Sequence, residues 1–238
     1  MSIISKTKWH SLNYKRYLQF LNIIYKKAKK IFSCFSIIAM NINTINQTNF
    51  GAHFINNVNI KRLNFKTNKY CSLKSSFIQF DPQNKNDFNA LKDAVKDWKG
   101  ENFASTIVDY ANKIITKSLS DKIHRIYMLT TQNKDFENLD KKRILGLVQM
   151  QSDSISPDEI RYLQVKPDLK HGNNKRAYKN IGSKIISSLK AIYNKKITLI
   201  SSYSAANFYE KQGFEITDLA LLEFEWENEG AKKCHKKH

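Results

Sequence analysis

Between residues 125 and 201 the apolar pattern changes period twice, and that succession leaves few folds open. Residues 125–130, 144–151 and 159–166 are short apolar-rich runs joined by polar connections, which predicts three strands in an antiparallel meander. After Pro167 comes a basic loop, and then Ile181, Ile185, Ile186, Leu189 and Ile192 recur at three- and four-residue steps, predicting a helix over 181–193. Residues 197–201 are apolar at most positions, as a buried parallel strand should be. A helix over 205–211, ended by Gly213, gives way to strands near 214–217 and 221–226.

Upstream, residues 76–80 read as a strand and 81–87 as a turn into a helix. That helix sets Phe88, Leu91, Ala94, Val95 and Trp98 on one face, with Gly100 where a C-cap is expected. A second helix carries Phe103, Ile107, Val108, Ala111, Ile114, Ile115 and Leu119. The expected fold is therefore α/β of the α+β kind: a mixed, mostly antiparallel sheet flanked by helices over residues 75–226. Residues 1–74 are expected to form a basic extension, partly disordered or helical, in which 54–60 could make an edge strand. Residues 227–238 are expected to be a disordered tail.

Charge separates the two parts. No Asp or Glu occurs before Asp81, while 13 of the 40 Lys and Arg lie in residues 1–80, so most of the formal +19 sits in the first third. A carboxylate-free arm could hold nucleic acid or an anionic membrane surface by Coulomb attraction; a solvated Lys-rich segment is the plainer alternative. No run of 18 apolar residues exists, so no spanning helix is expected, and a cytoplasmic location follows as the expectation. Residues 31–40, behind Lys26, Lys27, Lys29 and Lys30, resemble a signal h-region with too long a lead; an amphipathic surface helix and a start at Met40 stay open beside it. Cys34, Cys71 and Cys234 are far apart and odd in number, against a disulfide framework. Cys234 with His235 and His238 reads as a frayed tail before a metal site, and no metal is expected.

Three stretches carry chemistry: Glu159-Ile-Arg-Tyr-Leu-Gln-Val-Lys-Pro167, Lys175-Arg-Ala-Tyr-Lys-Asn-Ile-Gly-Ser183 and Ser204-Ala-Ala-Asn-Phe-Tyr-Glu-Lys-Gln-Gly-Phe214. With the element order, they resemble the GNAT superfamily of acyl-CoA N-acyltransferases, strongly over about a quarter of the chain. The physical logic of the middle stretch is anion binding: backbone N–H groups of a loop running into a helix N-terminus meet a pyrophosphate. The superfamily loop reads Gln/Arg-x-x-Gly-x-Gly/Ala. Here it is Ala177-Tyr178-Lys179-Asn180-Ile181-Gly182, which keeps the last glycine, replaces the first by Asn180 and has Ala177 where Arg or Gln is usual, beside Arg176. Asn best tolerates a left-handed backbone among non-glycine residues.

The resemblance implies acetyl-CoA as co-substrate, an acetyl group passed to a primary amine by direct attack, and a cofactor site made of Leu163, Gln164, Val165, Arg176, Ala177, Tyr178, Lys179, Asn180, Ile181, Gly182, Ser183 and Asn207. It also implies a bulge near 163–165 whose backbone pairs with the pantetheine arm, and the Val165 N–H as oxyanion donor. Tyr209 matches the tyrosine that protonates the departing thiolate, and Glu159 stands where several members carry a catalytic carboxylate. Core packing for Tyr209 and an exposed strand-end charge for Glu159 are the alternatives. A second reading keeps the shape without turnover: a silent binding module tethered by its basic arm.

Overall fold

The computed structural model describes residues 51–98, 102–167, 175–193 and 196–228. The arm over 1–40, Gly100, Cys34, Cys234, His235 and His238, on which the sequence raised expectations, lie outside these residues. Thirteen elements follow in order: β1 (His53–Asn64), β2 (Lys69–Gln79), α1 (Lys85–Asp97), α2 (Asn102–Ile115), β3 (His124–Thr130), β4 (Ile144–Gln151), β5 (Asp158–Val165), β6 (Tyr178–Lys179), α3 (Ile181–Ile192), β7 (Lys196–Ile200), α4 (Ala206–Lys211), β8 (Glu215–Asp218) and β9 (Glu223–Glu227). Single 3₁₀ turns at Lys141–Arg143 and Tyr203–Ala205 precede β4 and α4.

All nine strands form one sheet in the order β6-β1-β2-β3-β4-β5-β7-β9-β8. Every pairing is antiparallel except β5 with β7, as the continuous apolar run of β7 predicted. Period-2 alternation divides the sheet between two cores. Phe77, Tyr127, Leu129, Val148, Met150 and Ile160 face α3 and α4, where they meet Ile181, Ile185, Ile186, Leu189 and Tyr209. Ile78, Ile126, Met128 and Leu147 face the other way, onto Leu91, Ala94, Ile107, Ala111 and Ile114 of α1 and α2. Each fully buried aliphatic side chain contributes roughly 1.5–3 kcal/mol of transfer free energy before chain entropy is set against it.

Helix ends follow local chemistry. The Asn84 side chain accepts from the backbone N–H groups of Asn86 and Asp87 and starts α1; Trp98 closes it by donating to Ala94 O. The apolar spacing carried α2 to Leu119, but the helix stops at Ile115. Lys117 turns left-handed (φ 58°) and the Ser118 N–H bonds back to Lys113 O, a backbone termination no side-chain pattern announces.

The domain boundary expected at residue 75 falls inside β2. Residues 53–74 are not an extension: they form a long hairpin with β1 inside the sheet, in which Ile60 and Leu63 are buried and Ile55, Val58 and Leu73 pack against the core. Nor is β1 the edge, since β6 pairs outside it at Lys61–Lys179 and Arg62–Tyr178. Among the described residues no helix is long and apolar enough to cross a membrane.

Candidate active site

Among the described strands, the parallel pair is also a short seam. β5 and β7 pair over three positions, Asp158 with Ile197, Glu159 with Thr198 and Ile160 with Leu199. β5 then runs on past Arg161 through Tyr162, Leu163, Gln164 and Val165, paired to β4 on one side and, among the described residues, to no strand on the other. The result is a notch in the middle of a mixed sheet whose exposed wall is a strand edge, with free backbone donors and acceptors suited to an extended ligand.

The expected bulge is present but earlier. The β4–β5 register slips between Gln149–Tyr162 and Met150–Ile160, so Arg161 is the extra residue, two positions before Leu163. The slip lets Ile160 and Leu163 both pack toward α3 while Tyr162 packs toward α2, which strict alternation would forbid.

Above the notch lies the start of α3. Asn180 adopts φ 68° and ψ 16°, the left-handed conformation that the glycine replacement required, and its side chain makes no capping bond. No acidic residue occupies the first turn. Where α1 satisfies its own first turn with Asn84, α3 leaves Ile181, Gly182 and Ser183 without a side-chain acceptor, the arrangement in which backbone N–H groups and helix dipole favour an anion. An Asn180→Gly variant is expected to keep its stability, whereas Asn180→Val, forcing a β-branched residue left-handed, should lose about 1–2 kcal/mol. Urea unfolding midpoints of the two variants check this.

The loop before α3 is fixed from the far side of the sheet. Leu63 N–H donates to Ala177 O (2.8 Å), the Tyr70 hydroxyl donates to Arg176 O (2.7 Å) and Lys175 Nζ donates to Asn68 Oδ1 (2.9 Å). Lys179 Nζ lies 4.1 Å over the Tyr70 ring. The Arg176 and Ala177 carbonyls are thus turned toward the hairpin. Ile181, placed among the cofactor residues, is 6% exposed and belongs to the core, so only its backbone N–H is on offer. Gly182 has a packing reason as well: a Cβ there would stand 3.0 Å from Phe208 Cζ and 3.8 Å from Val165 Cγ2. That contact joins the three stretches singled out in the sequence, β5 through Val165, α3 through Gly182 and α4 through Phe208. Asn207 is exposed beside Phe208, and Ser183 is half-buried on α3.

Tyr209 follows on α4, 8% exposed among Phe208, Phe214 and Phe224 with ring centroids at 5.1, 5.8 and 6.0 Å. Burial pushes its phenol up to about 12, so it stays protonated through the physiological range and is a weaker acid than its residue type suggests. Lys190, which no sequence pattern singles out, holds the end of α4 in place. Its Nζ donates to Gln212 O at 2.5 Å and sits over the Phe214 and Trp226 rings at 4.6 and 4.5 Å, with burial lowering its pKa to about 8.

Glu159 does not stand alone. Arg161 Nη1 donates to both its oxygens, at 2.8 and 3.0 Å. Burial by itself would lower the Arg161 pKa, but bonding and charge pairing with Glu159, helped by Tyr110, leave it raised. Tyr110 and Tyr162 (5.8 Å), Phe103 and Tyr162 (5.8 Å), and Tyr110 and His124 (5.6 Å) form an aromatic wall beside the pair. Burial, then Arg161, lowers the His124 pKa. Among the described residues no group of three or more His, Cys, Asp or Glu is placed to hold a metal.

A hairpin and two helices before a meander, then a parallel strand that parts from its neighbour above a helix N-terminus, decide the architecture. This is the architecture that the resemblance to the GNAT superfamily implies. Solved structures similar to this chain include a Desulfovibrio desulfuricans chain assigned to the GNAT acetyltransferase family, 11% identical, covering 64% of this chain and 98% of that one with a TM-score of 0.44. Tetrahymena GCN5 is 14% identical over 57% of this chain and 75% of its own, with a TM-score of 0.37. The spermidine/spermine N-acetyltransferase SpeG of Vibrio cholerae is 12% identical over 69% and 99%, with a TM-score of 0.39. No protein-family model matches the sequence, and no curated protein matches it.

Proposed function

We propose that the chain is an N-acetyltransferase that passes an acetyl group from acetyl-CoA to a primary amine. The observation that carries this reading is the notch: a β5 edge left unpaired from Arg161 onward, below an α3 N-terminus left uncapped by Asn180. Leu163, Gln164 and Val165 would pair with an extended arm along that edge. The backbone of Asn180, Ile181, Gly182 and Ser183 would hold a pyrophosphate, with Arg176, Tyr178, Lys179 and Asn207 around it. When bound, acetyl-CoA supplies the thioester that activates the acetyl group. The Val165 N–H is the oxyanion donor of this scheme, Tyr209 the proton donor to the sulfur, and Glu159 the group that takes the amine proton once Arg161 releases it.

Calorimetric titration with acetyl-CoA is the direct test. Binding that Gly182→Val abolishes is the expected result, since the added side chain meets Phe208. Absence of any heat at millimolar acetyl-CoA would sink the enzyme reading.

A second reading, a silent GNAT-shaped module that binds nucleic acid or an anionic membrane, is supported by one observation. Lys61 stands directly opposite Lys179 in the sheet, a like-charge pair that ordinarily destabilises a ladder, and residues 51–80 contain no carboxylate. The same titration separates the two.

A further inference from the structure

On the α2 side of β5 the bulge gathers a second group of residues that the cofactor does not need. Arg161 is the first residue of β5 beyond the last β7 pair, and its guanidinium faces Glu159, Tyr110 and His124. Its side chain keeps 36% of its surface exposed and that of Glu159 keeps 26%, so the ion pair is open to solvent at the apex of the notch. Phe103, 46% exposed, and Tyr162 continue from it as an apolar wall.

As it stands the pair is a lock. Both Glu159 oxygens accept from Arg161, so an amine that brings only a proton must compete with a guanidinium already in place. An amine that also brings a carboxylate supplies Arg161 with a new partner and frees a Glu159 oxygen. We infer that the acceptor is an α-amino acid with an apolar side chain, its carboxylate on Arg161, its amine beside Glu159 and its side chain against Phe103 and Tyr162.

The inference rests on the acetyltransferase reading above. In that reaction the amine nitrogen bonds to the acetyl carbon as the carbon–sulfur bond breaks. The acceptor attacks as the free amine, its ammonium proton already given to water; the proton lost on bond formation goes to Glu159, the leaving sulfur takes one from Tyr209, and Glu159 and the phenolate are reset by exchange with water. Arg161 acts on the acceptor and changes no bond.

Matched acceptors that differ only in the carboxylate provide the test: phenylalanine against phenethylamine, and leucine against isoamylamine. Thiol release from acetyl-CoA should favour the amino acid by about 30-fold in kcat/KM, the factor that one charge-assisted hydrogen bond commands. Arg161→Gln should collapse that ratio, lowering turnover of the amino acid while raising that of the bare amine. Arg161→Lys, with the charge but not the fork, should fall between. Equal use of both acceptors, or a ratio unmoved by Arg161→Gln, overturns the inference. If no amine consumes acetyl-CoA the enzyme reading has failed, and calorimetric binding of phenylalanine without acetyl-CoA then decides. Binding that Arg161→Gln weakens by about 30-fold upholds the site, and binding absent or unmoved by the substitution removes it.

Discussion

A Tyr209→Phe variant is expected to bind acetyl-CoA as tightly as the parent and to turn over about 100-fold more slowly. That is the low end of what a positioned proton donor contributes. Burial holds the phenol at about 12, which makes it a reluctant proton donor to the departing sulfur and keeps its effect at that low end. The ring already has three aromatic neighbours, so the variant keeps its packing, and stability should change by no more than about 1 kcal/mol. Steady-state kinetics with a parallel unfolding curve separate the two roles open to Tyr209. Turnover at the parental rate with full stability would leave the residue a core aromatic. The pH profile gives a second reading: no alkaline loss of rate should trace to Tyr209 below about pH 11, since it keeps its proton there.

The second large effect is on stability. Asp87 is fully buried in the first turn of α1, and neither carboxylate oxygen finds a hydrogen-bond partner; the Ala52 and Asp81 amides face it without closing the bond. Burial first, and then the nearby Asp81 charge, raise its pKa to about 7. A raised carboxyl pKa means that the folded state holds a proton which the unfolded chain releases near pH 4. The stabilisation is complete below about pH 4 and disappears as pH rises through about 7. At ~1.4 kcal/mol per pH unit the span bounds the whole effect near 4 kcal/mol, of which about 2–3 kcal/mol falls between pH 5 and 8. Asp87→Asn should remove that dependence and be more stable than the parent at pH 8. Urea midpoints across the range measure it. Parallel pH curves for the two proteins would mean that Asp87 ionises normally.

The second half of the chain was legible because its signals are local. The Ile181-to-Ile192 periodicity, the apolar β7 run and Gly213 after α4 each state a period or a stop within a few residues, and the elements fall within two residues of expectation. Asn180 was legible for the same reason: a left-handed turn has a short list of residues that accept it. The hairpin was not. Its apolar residues are as frequent as elsewhere in the chain, but of those in β1 only Ile60 and Leu63 are buried; Ile60 packs with Ile181 and Ile185 of α3, and Leu63 N–H bonds to Ala177 O, all more than a hundred residues downstream. The bulge was misplaced because both Leu163 and Arg161 satisfy a strand pattern, and only the demand that Ile160 and Tyr162 reach opposite cores chooses between them. Lys190 was missed outright, and Arg161 was read only as one more charge near the strand end at Glu159. A charged residue on a strand or helix reads as solvated face until its partner, Glu159 or the carbonyl of Gln212, is known to be there.

The stapling of the pre-α3 loop to the hairpin has a bearing on assembly. Its bonds join Tyr70 to Arg176 and Asn68 to Lys175, contacts spanning 106 and 107 residues. Such closures come late, because their loop entropy is recovered only when the intervening strands are already registered. During synthesis the hairpin is made first and waits for a loop that emerges after the whole meander. A species that has formed β2 to β5 and nothing more possesses the notch strand but has no anion cradle. On the proposed reading, affinity for a phosphate ester would therefore be absent from any species whose pre-α3 loop is not yet stapled to the hairpin.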